Sequence, residues 1–277
     1  MTGTTTEPRF AAPTLFAFGR ALLEAAGLAP ERATDVAEVL LEGDLLGHTT
    51  HGMALLSPYL GDLDAGRVEK EGEPEVISDR GATLCWDGRY LPGPWLVRRA
   101  IAAGSERVPS HGLATIAVRR SHHIACLQAY LEPVATSGQV MLLICSDPSM
   151  ASVVPHGGLD ARMTPNPMAF SWPTEGAPVL VDISTSTTTN GMTKRLHDAG
   201  ERLPAPWMID TSGEATDDPG ILFAEPPGAI LPLGGLHLGH KGFGLGLLVE
   251  ALTSGLAPAA PRYAFQARPR SRARGIS

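Results

Sequence analysis

The sequence predicts an α/β fold in which a helical N-terminal unit is followed by alternating strands and helices. Three observations predict it. Apolar residues recur at helical spacing through the first seventy or so positions. Beyond them, short β-like runs alternate with helical stretches, and Pro and Gly clusters mark the changes.

Residues 13–26 carry Leu15, Phe16, Phe18, Leu22 and Leu23 at helical recurrence. A second helix is expected from Pro30, a favoured first-turn position, with Val36, Val39, Leu40 and Leu46 as its inner stripe. A third is expected over 51–63, ending near Gly66. Residues 1–73 thus form one helical unit, closed by the polar stretch EKEGEPEV. After it come a strand-like run at 82–86, a helix through 95–107, a strand at 113–118, a helix at 124–136 and a strand at 140–145. Two short strands follow at 169–172 and 179–183, with loops at 155–158 and 165–167, and a buried helix is expected over 244–252. From Ala257 the chain turns into an arginine-rich stretch with five arginines and no acid, which reads as a disordered basic tail over 257–277.

The 277 residues allow one large or two small domains, and 43% apolar content supports a sizeable core. The net charge of −7 argues against a body that binds nucleic acid. Cys85, Cys126 and Cys145 are odd in number, far apart and without a C-x-x-C, as expected of reduced thiols in a cytoplasmic protein. No signal-peptide pattern and no apolar run of about 18 residues is found, so no membrane partner is expected.

The segment 231–252, LPLGGLHLGHKGFGLGLLVEAL, gathers six glycines around Lys241, one of three lysines beside nineteen arginines. Glycine lets a backbone approach a ligand closely, and a lone cation there suits phosphate or carboxylate. A second reading is equally open: a Gly-rich turn into a core helix, its lysine facing water. Neither a Walker A loop nor G-x-G-x-x-G is present, so a nucleotide would bind in another fold than the Rossmann fold.

Histidines supply the remaining chemistry. His48 and His51 flank Thr49-Thr50 at the junction of the second and third helices. Zinc ligation is one reading of this pair, but no H-E-x-x-H completes it, and no metal site is assigned. A satisfied cap and an acid/base histidine are the other readings. Ser121-His122-His123 follows a strand, with Ser121 read as a helix N-cap and His123 in the first turn. Asp182 ends the run LVDI, where it either orients a histidine or caps a turn. A serine hydrolase is disfavoured, because no G-x-S-x-G elbow exists.

In order along the chain, GDLLGHTTHG, RRSHHIA, SDPSMASVVPHGG, TPNPMAF, LVDISTS, LPAPWMID and the Gly-rich segment resemble the malate/L-lactate dehydrogenase family of NAD(P)-dependent oxidoreductases. The resemblance runs from about Phe10 to Leu256. It implies a non-Rossmann α/β fold with a mixed, largely antiparallel sheet, residues 74–256 binding cofactor and substrate, and a homodimer. It implies hydride transfer between NAD or NADP and a small 2-hydroxy or 2-oxo acid. By the same resemblance His51 is the proton donor and acceptor, Asp182 holds it in place, and His123 faces substrate and nicotinamide. Thr50 and His48 lie toward substrate. Ser121, His123, Pro155, Gly157, Gly158, Asn166, Pro167, Asp182 and Lys241 lie toward cofactor. The chain departs from the family at Leu55, where an arginine is usual, at Pro165, and in its C-terminal part, which is missing or altered. The alternative is therefore a truncated member that retains only cofactor binding.

Overall fold

The computed structural model describes residues 9–147 and 149–257; the basic stretch expected to be disordered lies outside these from Pro258 on. Three helices open the chain: α1 (Ala12–Ala25), α2 (Pro30–Leu45) and α3 (Leu56–Asp64). Pro13 and Pro30 occupy first-turn positions, where the missing N–H has no partner to lose. Val36, Val39 and Leu40 of α2 are fully buried as the spacing requires. Phe18, one of the recurrent apolar residues of α1, is 55% exposed. The expected third helix begins later, because Met53–Leu55 forms a 3-10 turn before α3.

Next come β1 (Glu75–Asp79), β2 (Thr83–Asp87), α4 (Gly93–His111) and β3 (Thr115–Arg119). β2 pairs antiparallel with β1 and parallel with β3. The second sheet is built from β4 (Met141–Ile144), β5 (Met168–Trp172) and β6 (Val179–Ile183), all antiparallel, after the short helix α5 (Leu131–Thr136). α6 (Asn190–Asp198) then leads into β7 (Met208–Ile209), β8 (Ala215–Thr216) and β9 (Ala229–Ile230), an antiparallel sheet ordered β8-β7-β9. α7 (Gly235–Leu252) closes the described chain. The fold is thus mixed α/β and largely antiparallel, with β2–β3 the parallel pair among the described strands.

The largest core joins α1–α3 to Ala125 and Tyr130, so the histidine-bearing loops rest directly on it. Leu55 packs against the same core. Its apolar side chain there serves packing.

Two expectations are corrected. The segment 124–136 is not one helix: residues 120–126 are irregular, and a 3-10 turn at Leu127–Tyr130 precedes α5. Arg120 and Ala125 bracket the irregular stretch in left-handed conformation (φ 51° and 58°). Ser121 is therefore no helix cap; its Oγ donates to the His122 carbonyl at 2.7 Å. The second correction concerns the Gly-rich segment, which is helical from Gly235 on, so Lys241 lies within a helix and not in a loop. That helix is not buried as a cylinder either. Gly239, Gly242 and Gly246 face inward, while Leu236, Leu238, Leu247 and Leu248 are 44%, 52%, 48% and 48% exposed.

Candidate active site

His51 sits in the turn between α2 and the 3-10 turn. Its N–H donates to the His48 carbonyl at 2.7 Å, and Asp44 Oδ2 accepts from Met53 N at 3.2 Å. Gly43 on α2 leaves room for the His51 carbonyl, 2.9 Å from where a Cβ would stand. His48 and His51 thus belong to a pinned turn, not to one helix face. His51 Nδ1 pairs with Thr50 Oγ1 at 3.0 Å, and its ring stacks on His123 with centroids 5.8 Å apart and planes 24° apart.

His123 is oriented by Tyr59, whose hydroxyl reaches Nδ1 at 2.7 Å and the His123 carbonyl at 3.1 Å. Ala125 N also donates to Nδ1 at 3.2 Å. A nitrogen that accepts an amide proton carries none itself, so the ring's proton is on Nε2. Burial, then the neighbouring His51 and His122, push the His123 imidazole down to about 4. The residue nonetheless keeps an exposed surface. At neutral pH the ring is uncharged and offers a neutral N–H donor. His51 is also lowered from its usual value, first by burial and further by His48, with Asp182 opposing. Two neutral imidazoles face one another.

Asp182, on β6, accepts from Gln128 N at 2.9 Å. The Gln128 side-chain oxygen accepts from His48 Nε2 at 2.8 Å, so Gln128 ties the carboxylate and the imidazole into one assembly. Burial raises the Asp182 carboxyl, while the Gln128 amide, His48 and His51 favour its charged form. Among the described residues the hydrogen-bond partner of the His51 ring is Thr50 and that of the Asp182 carboxylate is the Gln128 amide. Asp182 therefore acts on His51 through space.

The other residues singled out in the sequence lie elsewhere. Pro155, Gly157 and Gly158 form a turn closed by Gly158 N on the Pro155 carbonyl at 2.9 Å. It meets α7 where the His156 and His240 rings stand 5.7 Å apart, one residue before the exposed Lys241. Asn166 is fully buried at φ 44° and donates to the Gly246 carbonyl (3.3 Å) and Glu250 Oε1 (2.9 Å) of α7. Its Oδ1 has no partner among the described residues. The Pro167 carbonyl accepts from Cys145 N at 3.3 Å, and Pro165, though lacking an N–H, accepts from both Thr185 N and Oγ1 at 2.9 Å. Tyr59 and Gln128 escape the sequence reading, since Tyr59 reads locally as core and nothing distinguishes Gln128, and Cys126 reads there only as a reduced thiol. Their contacts span tens of residues.

The sequence profile of the malate/L-lactate dehydrogenase family matches residues 10–274. The chain belongs to that family. It is accordingly an oxidoreductase of the dehydrogenase class. An L-lactate dehydrogenase of Cupriavidus necator is 36% identical over 241 residues, covering 86% of this chain and 68% of the relative's length. A malate dehydrogenase of Pyrococcus abyssi is 31% identical over 242 residues, covering 86% of this chain and 66% of its own. Among solved structures, a delta1-piperideine-2-carboxylate reductase from Pseudomonas syringae superposes with TM-score 0.81 at 31% identity, over 90% of this chain and 73% of that one. The malate dehydrogenase of Entamoeba histolytica gives TM-score 0.84 at 25% identity, over 91% of this chain and 72% of that one.

Proposed function

We propose that this member of the malate/L-lactate dehydrogenase family moves a hydride between NAD or NADP and a small 2-hydroxy or 2-oxo acid. The observation that carries the reading is the stacked pair of neutral histidines, one field-coupled to Asp182 and the other holding its proton on Nε2. The residues present fit the cofactor. Gly191 packs on Thr50, beside His51, and lines a cavity of about 970 Å3. Ser152 Oγ and Asn190 Oδ1, buried and unpartnered among the described residues, belong to that cavity's lining, as do Arg162 and Lys194. The unpartnered Ser152 hydroxyl beside these two side chains, which pair with Asp160 and Asp198, supports a phosphate-bearing ligand, and Asn190 Oδ1 suits a ligand hydroxyl or amide donor. Arg162, paired with Asp160 at 2.8 Å, lines this cavity and is the arginine placed for a 2′-phosphate, whereas Arg119 and Arg120 pair with Asp87. Pro155 and Gly158 line the adjoining cavity, which shares Arg162.

The bound nicotinamide would supply or accept the hydride. His123 Nε2–H donates to the substrate oxygen and holds the carbonyl in place. His51 takes the hydroxyl proton in oxidation and returns it in reduction. Asp182 stabilises the imidazolium that forms. Thr50 and Tyr59 fix the rings' orientation, and His48 with Gln128 fixes Asp182. The homodimer belongs to the same proposal and is supported by the exposed leucines of α7. So does the cytoplasmic setting, supported by three free cysteines; among the described residues no helix is long and apolar enough to cross a membrane.

The test is a panel of 2-oxo acids with NADH and NADPH, following loss of the reduced nicotinamide. His51→Ala should lower turnover roughly 10²–10⁴-fold with cofactor binding nearly intact; equal loss of cofactor affinity would make His51 structural. Because the His51 pKa lies below its usual value, oxidation should rise with pH through a midpoint below about 6.5, and reduction should fall through the same midpoint. Cofactor binding without turnover on any acid would favour the binding-only alternative.

A further inference from the structure

Cys126 has no part in the chemistry proposed above, yet it lies inside the assembly that performs it. It is 2% exposed and forms no disulfide. His48, Cys126 and Asp182 each present one ligand-type atom, and these atoms lie within 4.8 Å of one another. They come from three separate segments: the turn after α2, the end of the irregular histidine loop, and β6. We propose that these three side chains bind a thiophilic divalent cation, Zn2+ above all, with a fourth position left open.

The donor set decides the ion class. A thiolate with an imidazole and one carboxylate suits zinc, whereas Mg2+ and Ca2+ take oxygen ligands. Zinc bonds of about 2.0–2.3 Å at tetrahedral angles put ligand atoms roughly 3.3–3.8 Å apart, so the groups must close by about an ångström. Charge also fits: a dication with a thiolate and a carboxylate is neutral, the affordable state in a half-buried place. On ligation the Cys126 thiol releases its proton to solvent. Gln128 prepares His48, because accepting from Nε2–H leaves the Nδ1 lone pair free. A second nitrogen held by a hydrogen bond is the usual arrangement of a ligating histidine. Metal ligation by His48 and His51 was set aside in the sequence for want of a completing motif; the completing residues come from distant segments instead.

The consequence for turnover rests on the proposed function: a cation holding Asp182 and His48 removes their support from His51, so the ion inhibits. The binding itself does not rest on it. The experiment uses the chelator-treated full chain titrated with Co2+, then with Zn2+. A thiolate-to-cobalt charge-transfer band should grow to one equivalent and be displaced by Zn2+. Cys126→Ser should abolish the band, while Cys85→Ser and Cys145→Ser keep it. His48→Gln should weaken Zn2+ by at least the roughly 10–100-fold that a lost outer-sphere partner costs, and it stands in if Cys126→Ser fails to fold by circular dichroism. No band, a band that survives Cys126→Ser, or unchanged Zn2+ affinity in His48→Gln overturns the proposal. A band in a protein inactive on every acid leaves this inference standing and removes the functional one; turnover without a band does the reverse.

Discussion

α2 and α7 are helices of similar length that meet the rest of the molecule in opposite ways. α2 turns Val36, Val39 and Leu40 inward, each 0–1% exposed. α7 turns Gly239, Gly242 and Gly246 inward and leaves its leucines outside. In α2 the contact is made by side chains filling space. In α7 it is made largely where glycine lets the helix backbone come close: a Cβ at Gly242 would collide with the Leu233 backbone and one at Gly246 would stand 2.8 Å from Met163 Cε, with Val249 the fully buried side chain beside them. Inward-facing glycine is thus as much a packing residue as leucine, although it buries no apolar side chain of its own.

The comparison can be broken by substitution, with the largest effect expected in α2. Leu40→Ala removes a fully buried side chain and should cost about 2–5 kcal/mol, read from denaturant midpoints; a smaller loss would mean that the helix relaxes into the cavity. Gly242→Ala adds a single methyl yet should destabilise by about 1–3 kcal/mol, since it must displace the Leu233 backbone. Were it neutral, the close approach would not govern α7. Gly244→Ala, where nothing lies within 4 Å, should go the other way and stabilise by up to about 1 kcal/mol through helix propensity alone. A destabilising outcome there would show that the outer face of α7 is covered in solution.

The same contrast explains what the sequence could and could not tell. Where packing is by side chains, periodicity carries the signal: β4, β5 and β6 fall within a residue or so of the apolar runs, and the inner stripe of α2 was readable apart from Leu46. Where packing is by glycine, local propensity points to a loop, although the first nine residues of α7 are helical. The site divides likewise. His48, His51, His123 and Asp182 were visible because their chemistry is rare and their neighbours form motifs. Tyr59 and Gln128 were not, since a buried tyrosine on α3 looks like core until its hydroxyl is found on a ring 64 positions away. Ser121 misled because a serine after a strand resembles a cap, whereas left-handed Arg120 and Ala125 prevent a helix from starting there.

Gly93, the first residue of α4, carries a consequence of its own. A Cβ at that position would collide with the carbonyl oxygens of both His122 and His123. Further along the same helix, Arg98 is clamped to Asp35 and Glu38 of α2. The base of the histidine loop is therefore a hard stop against a helix that is itself braced from behind. Any side chain at residue 93 would have to displace the backbone that carries His122 and His123, and so would disturb the histidine pair and cost stability at least as much as Gly242→Ala. In a mutational scan scored by growth, Gly93 would stand among the chemical residues although it has no side chain with which to do chemistry.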